Sequence, residues 1–315
     1  MINIIDTHCD ALYKIQMARR EEGRHLDFRT ADELDTNLER LKQGGVSVQL
    51  FAIFLEPSIP SDEMWEYALE QIDIFQEEVI GKNPEMKHIK AWSDLDDLSD
   101  GEIGAILTLE GAEPIGNDLT KLEKLYEAGI MSIGLTWNPA NLCADGVGES
   151  RGAGLTTLGK EVIKLNNKRG VLTDIAHLSM AGVDDVLQLA DCPFASHCNA
   201  RALYDHPRNL TDDQLKRLFE KGGHVHVVLY PAFIQGEKEA TSIDDLIKHI
   251  DHLVSLGGEK QIGFGSDFDG IDRFITNLED ASQYQNLINR LLDKYSEEQV
   301  KGFAHENFLN FVRNI

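Results

Sequence analysis

Short apolar, β-branched runs recur along the chain and alternate with longer segments of helical period. The runs are INIID near residue 4, VSVQLFAIFL from 46, GAILTLEG from 104, IMSIGLTW from 130, GVLTDIAHLS from 170, PFASHCN from 193, GGHVHVVLY from 222 and QIGFGSDFDG from 261. Runs this continuously apolar predict strands buried on both faces, as in parallel sheets. Between them, amphipathic stretches such as SDEMWEYALEQIDIFQEEV from 61 and TDDQLKRLFEKG from 211 predict helices. In the second, Thr211 ahead of Gln214 has the spacing of a capping box. Glycines in KRGV at 168–171 and KGGH at 221–224 stand where a helix ends before the next strand begins, as the αβ turn of a repeating unit requires.

No Pro-, Ser- or Gly-rich linker divides the sequence, so residues 1–315 read as one domain. Repeated β/α units make a (β/α)8 TIM-type barrel the first expectation and an open doubly wound sheet the second. Periodicity does not separate the two. The positions of the polar residues favour the barrel, because they fall at the C-terminal ends of the runs, where a barrel builds its active site.

Composition narrows the function classes. With 315 residues, 42% hydrophobic and 27% charged, the chain has ample material for one large core. The formal charge of −24, from 54 acidic and 30 basic side chains, disfavours nucleic acid and anionic membrane surfaces as partners. No apolar stretch approaches the ~20 residues of a membrane span, and no secretory signal or lipid-anchor signal is seen. Cys9, Cys143, Cys192 and Cys198 are scattered without a CxxC pair and read as reduced thiols of a cytoplasmic protein.

The first run ends in Asp6-Thr7-His8-Cys9-Asp10, and alternation along an extended segment turns His8 and Asp10 to the same side, where both can bind one cation. Taken alone, that pair is a weak signal and reads more readily as a histidine and an aspartate in a solvated turn. Glu110 closes the apolar run AILTL, and a carboxylate buried there needs a cation or hydrogen bonds. His177, His197 and Asp267 end the runs from 170, 193 and 261. Nitrogen and carboxylate donors without thiolates suit Zn, with Mn, Fe or Co as substitutes. His224 and His226 share one face of their run and are read as interior or supporting residues. Cys9 and Cys198 are out of phase with the ligands beside them and are read as packing. Asp269 and Gly270 are read as shaping the last turn, and Gly111 as allowing close backbone approach after Glu110.

As an ordered set, DTHCD, TLEG, AHLS, SHCNAR, HPRN and SDFDG resemble the motifs of the membrane (renal) dipeptidase family, within the amidohydrolase-like metal barrels; the resemblance spans most of the chain. It implies two Zn2+ per chain. His8, Asp10 and Glu110 would hold one, and Glu110 would bridge to a second held by His177 and His197. Asp267 would sit beside the metal-bridging water as general acid/base, Arg208 would bind the substrate's terminal carboxylate, and Tyr230 would lie close to the substrate. The resemblance also implies a tendency to homodimers. One departure stands out: where the family commonly has a histidine that polarises the scissile carbonyl, this chain has Trp137, followed by Asn138. Asn138 or Asn141 is the candidate donor in its place.

The resemblance implies hydrolysis of dipeptides, with D-residue substrates in the candidate range, by a hydroxide that the two cations generate near neutral pH. The rival within the same chemistry acts on a non-peptide amide, lactone or related substrate. A catalytically silent binding protein is disfavoured because no ligand is missing, and a nucleotide-binding sheet because no G-x-G-x-x-G or Walker loop follows a strand.

Overall fold

The computed structural model describes residues 1–236 and 240–315. Its strands are β1 (Ile4–Asp6), β2 (Val46–Phe54), β3 (Met86–His88), β4 (Ile103–Glu110), β5 (Ile130–Gly134), β6 (Leu172–Asp174), β7 (Pro193–Ala195), β8 (His224–Val227) and β9 (Ile262–Phe264). All pair in parallel. β1 pairs with both β2 and β9, and β2 pairs with β4, so the sheet closes on itself in the order β1-β2-β4-β5-β6-β7-β8-β9. The (β/α)8 barrel is therefore the fold, and the open sheet is excluded by these closing pairs.

β3 lies outside the ring and does not show in the hydrophobic pattern, because MKH carries one buried apolar residue and two half-buried polar ones. It pairs with the N-terminal end of β4, Met86 opposite Ile103, on the edge that β5 occupies further along. Three ring strands also stop earlier than their apolar runs suggest. β6 ends at Asp174, β7 at Ala195 and β9 at Phe264, which leaves His177, His197 and Asp267 in the turns beyond. The runs read longer because those turns are themselves buried, through Ile175, Ala176, Cys198 and Phe268.

The helical expectations hold in detail. Thr211 caps helix Asp212–Glu220 in a reciprocal box with Gln214. Gly170 ends helix Thr157–Arg169 with φ 65°, and Gly222 takes φ 79° before β8. The segment from 61 forms helix Met64–Ile74 and runs on as a π-helical turn, Phe75–Gly81. Among the described residues no helix is long and apolar enough to cross a membrane.

Strand alternation sorts the core into two layers. On β2 and β4, Phe51, Ile53, Ala105, Leu107 and Leu109 belong to the large cluster beneath the helices. Val48, Leu50 and Ile106 belong to a second cluster, inside the barrel, with Ile5, Leu172 and Phe194. Phe308 and Val312 of the last helix, Asn307–Val312, join this inner cluster and plug the N-terminal end of the barrel. His224 and His226 of β8 face this interior: His224 stacks on Phe311 at 4.3 Å and His226 meets Phe308 edge-on at 5.5 Å. Inward parity continues along β4 through Thr108 to Glu110, which arrives at the opposite, C-terminal mouth.

Phe308 contacts Trp92, Phe194 and His226, so no single neighbour can fill its place. Phe308→Ala is expected to cost about 3–5 kcal/mol, measured as a lowered urea midpoint. A loss below about 1 kcal/mol would mean that the barrel base collapses onto the void and does not depend on the plug.

Candidate metal centre

Six side chains that the sequence places at run ends meet at the C-terminal mouth of the barrel. β1 and β9 deliver three of them by pairing beyond their strand ends: Asp267 N–H donates to His8 O at 3.1 Å, and Asp10 N–H donates to Phe268 O at 3.0 Å. His177 and Asp267 both adopt left-handed backbone, with φ 66° and 67°, which costs a non-glycine residue on the order of 1–3 kcal/mol. In each case the turn aims the side chain back over the barrel. Gly270 makes room for two of the carboxylates. A Cβ there would lie 2.2 Å from Asp10 Oδ2 and 2.9 Å from Asp267 Oδ1, so any larger residue would push the two carboxylates out of place.

Glu110 is the centre of the arrangement. Its Oε2 lies 3.7 Å from His8 Nε2, while its Oε1 lies 2.8 Å from His177 Nε2 and 3.5 Å from His197 Nε2. His8 Nε2 also has Asp10 Oδ2 at 3.4 Å and Asp267 Oδ1 at 3.8 Å, and His177 and His197 bring their Nε2 atoms to 3.0 Å. Two triads, His8–Glu110–His197 and His8–Asp10–Asp267, have their ligand atoms within 4.8 Å of one another. The two oxygens of Glu110 thus face two donor sets, one on each side.

Hydrogen bonds at the far ring nitrogens orient two of the imidazoles. Asn138 Oδ1 lies 2.8 Å from His177 Nδ1, and an amide oxygen can only accept, so this nitrogen carries the proton and Nε2 keeps its lone pair. Ser196 Oγ lies 2.7 Å from His197 Nδ1 and donates its own proton to Asp174 Oδ2, which sets the same tautomer on His197.

Asp174 and Ser196 form half of a repeated device that the sequence reading missed. Asp174, the last residue of β6, accepts the N–H of Ser196 at 3.1 Å as well as its hydroxyl, and also the N–H of Ala176 at 3.0 Å. Asp6, the last residue of β1, does the same for Ser266: N–H at 2.8 Å, hydroxyl at 2.6 Å, with His8 N–H at 3.3 Å. In both, a strand-ending aspartate grips the serine that immediately precedes a cluster residue on the neighbouring strand. Three hydrogen bonds converge on each aspartate, each contributing about 0.5–1.5 kcal/mol, which together hold these turns. The signal was present as Asp6 and Asp174 closing apolar runs and Ser196 and Ser266 standing before His197 and Asp267, but the Asp–Ser pairs join residues far apart in the chain.

The electrostatics are those of a site that wants cations. Burial pushes the Glu110 carboxyl well above its usual range; His8 pulls it down and Asp10 pushes it further up. Burial likewise raises Asp267 to about 7 against the pull of His8. His8 is opposed by its own burial, yet Glu110 and Asp10 outweigh that and raise it to about 10. Burial, with the charges of Arg208 and His8, keeps His177 and His197 well below the ordinary imidazole range. The acids therefore lean chiefly on the His8 imidazolium, with a further pull from the Arg208 guanidinium on Glu110 and Asp267. His8 Nε2 and Asp10 Oδ1 are buried without a hydrogen-bond partner, although His8 is at ion-pair distance from three acids; such orphaned atoms each cost about 1–3 kcal/mol. Divalent cations would satisfy those atoms and the acidic excess together, so the residues present fit a metal centre.

The remaining predicted residues surround this cluster. A cavity of about 420 Å³ opens over it, walled on one side by Tyr13, Phe54 and Trp137 and on the other by Tyr230 and Phe233. Trp137 packs between Phe54 and His177, at 5.3 and 5.9 Å. Asn138 lines the cavity with its oxygen on His177, whereas Asn141 is committed to its own loop, donating from Nδ2 to Leu135 O at 2.7 Å. Tyr230 donates to Asp272 at 2.9 Å. Arg208 is buried beside the wall, its guanidinium 5.4 Å from the Phe233 ring centroid. Its contacts are weak, to Cys198 Sγ at 3.7 Å and His197 O at 3.4 Å, and its Nε has no partner. Asp269 shapes the last turn, accepting from Asp35 N at 2.7 Å and Lys14 Nζ at 3.1 Å.

Comparison with known proteins follows the same line. A family model described as membrane dipeptidase, peptidase family M19, matches residues 1–315. An uncharacterized dipeptidase of Schizosaccharomyces pombe is 33% identical over 97% of this chain and 79% of its own length. Among solved structures, a metallo peptidase from Rhodobacter sphaeroides liganded with a phosphinate mimic of the dipeptide L-Ala-D-Ala superposes with a TM-score of 0.89, at 25% identity, over 99% of each chain. A metallo peptidase titled dipeptidase AC gives 0.89 at 26% identity, over 99% of this chain and 98% of that one. With its acids and imidazoles gathered around one glutamate and the family match running through residues 1–315, the chain belongs to the membrane dipeptidase family, peptidase family M19, and is a metallodipeptidase.

Proposed function

We propose that this metallodipeptidase holds two zinc ions and cleaves short dipeptides, including those with a D-residue. The observation that carries the reading is Glu110, whose two oxygens face separate donor sets. His8, Asp10 and Glu110 would hold one ion; Glu110, His177 and His197 would hold the other. Nitrogen and oxygen donors without a thiolate suit zinc, with Mn, Fe or Co as substitutes. Bound there, the cations supply Lewis acidity, lowering the pKa of water and polarising the scissile carbonyl. The phosphinate mimic of L-Ala-D-Ala on the Rhodobacter sphaeroides peptidase supports a dipeptide substrate and acceptance of a D-residue. The four cysteines are free thiols, which supports a reducing, cytoplasmic compartment.

The chain's own groups supply binding and proton handling. Arg208 is buried, and no carboxylate pairs with it among the described residues; a lone buried cation is costly and is matched by an anionic ligand, here the substrate's terminal carboxylate. Its fork suits that group through two parallel hydrogen bonds. Tyr230 and Phe233 would flank the residue so held. Asp267, on the cavity wall and 3.8 Å from His8, would take a proton from the attacking water and return it to the leaving amine. Asn138 would hold His177 in the ligating tautomer and face the substrate where the family has its carbonyl-polarising histidine.

Elemental analysis is expected to find about two zinc ions per chain, and chelation to abolish Ala-Ala hydrolysis until zinc is restored. Metal binding without dipeptide cleavage would move the activity to a non-peptide amide or lactone. Arg208→Ala should lower kcat/KM for dipeptides by about two orders of magnitude at unchanged metal content; wild-type turnover would remove its assignment. Asp267→Asn should lower kcat by about 10²–10⁴-fold, read by steady-state kinetics beside metal analysis. A variant that loses metal in proportion to activity would instead make Asp267 a ligand.

A further inference from the structure

The cavity wall carries one carboxylate that neither the metal centre nor the folding of the loops uses. Of the acids lining it, Asp10, Glu110 and Asp267 belong to the cluster, and Asp269 is held by Lys14, Asp35 and Thr36. Glu56 and Asp272 remain, on opposite walls, each accepting a tyrosine hydroxyl: Tyr13 at 3.0 Å and Tyr230 at 2.9 Å. The charge of Arg273 reaches Tyr230 beside Asp272. Around Tyr13 the leading charges are Glu56, Glu21 and Asp10, all negative, and no Lys, Arg or His lining residue offsets Glu56 apart from His177, which burial keeps neutral. Glu56 is thus an oriented, partly buried carboxylate with no cation of its own among the described residues.

Its place in the ring states which part of a substrate it meets. Glu56 follows β2 and Arg208 follows β7, which stand opposite each other in the closed order β1-β2-β4-β5-β6-β7-β8-β9. A dipeptide whose carboxylate rests at Arg208 and whose scissile bond lies over Glu110 extends its amino-terminal residue towards the wall of Tyr13, Phe54 and Trp137. Those aromatic faces would pack the aliphatic stem of a long side chain, and Glu56 stands at the end of that wall. A cationic head there would replace water with a carboxylate fixed in advance by Tyr13, so little ordering is paid on binding. The chain's overall charge of −24 would draw such substrates in as well.

We infer that Glu56 is a specificity-determining residue that selects dipeptides with a lysine or arginine side chain at the amino-terminal position. The inference rests on the dipeptidase reading and on Arg208 holding the carboxylate. The test is kcat/KM of the zinc-loaded enzyme for Lys-Ala and for Met-Ala, which match in length and differ in charge. Wild type should favour Lys-Ala by about fivefold at low salt, the scale of a partly solvated ion pair, and lose part of that preference as ionic strength rises. Glu56→Gln should bring the ratio of the two near unity, and Glu56→Lys should shift preference to Glu-Ala. A wild-type ratio near one, or a ratio that survives Glu56→Gln, overturns the assignment. So does an equal fall for both substrates, which would mean that Glu56 meets the α-amino group common to both. An enzyme inert to every dipeptide overturns the dipeptidase reading itself, and this inference with it.

Discussion

Three carboxylates and three imidazoles share the mouth of one barrel, nearly out of contact with water, and the rest of the molecule answers to that concentration of charge. Without cations the acids lean chiefly on His8, with a further pull from the Arg208 guanidinium, and their burial raises the proton affinity of Glu110 and Asp267. Such a cluster persists only if the fold holds it from outside. Paired extensions of β1 and β9 hold His8, Asp10 and Asp267. The Asp6–Ser266 and Asp174–Ser196 grips hold the turns that carry Asp267 and His197. The strain of left-handed His177 and Asp267 is spread over this support, which is how backbone of that kind survives at a functional site.

The barrel divides its labour along its axis. The base is apolar and plugged by the last helix, and it gives the strands a rigid origin. The middle is crossed by Thr7, which donates to Ser196 O at 2.8 Å and meets His226 Nδ1 at 3.0 Å. The mouth carries the cluster of acids and imidazoles. Because Cβ directions alternate along each strand, Ile106 at the base and Glu110 at the mouth point inward together, and burial of the first helps fix the aim of the second. Above the mouth six acids line the cavity, and Arg208 lies buried beside Phe233.

Much of this was legible before the fold was known. Apolar runs of strand length, glycine-terminated helices and a capping box at Thr211 are local signals, and each formed as read. The six cluster residues were legible for a related reason: polar side chains that end buried runs are costly unless they have a task, and a barrel puts all run ends on one face. Strand ends were less legible, since buried turns such as Ile175-Ala176 carry the same apolar signature as strand interior. β3 was invisible because its pairing to the base of β4 is backbone hydrogen bonding, which side-chain pattern does not record.

By itself, then, the sequence determined the repeating unit, the parallel sheet and the identity of the charged groups, because these follow from periodicity, turn chemistry and the cost of burying charge. Only the tertiary structure decided who serves whom. Asn138 supports His177, Asp174 reaches His197 through Ser196, Asp6 steadies Asp267 through Ser266, and Glu56 follows a strand that stands opposite the one before Arg208. Each of these relations joins segments brought together by closure of the barrel, and closure is set by strand pairing over long sequence separations, which no local pattern in the chain records.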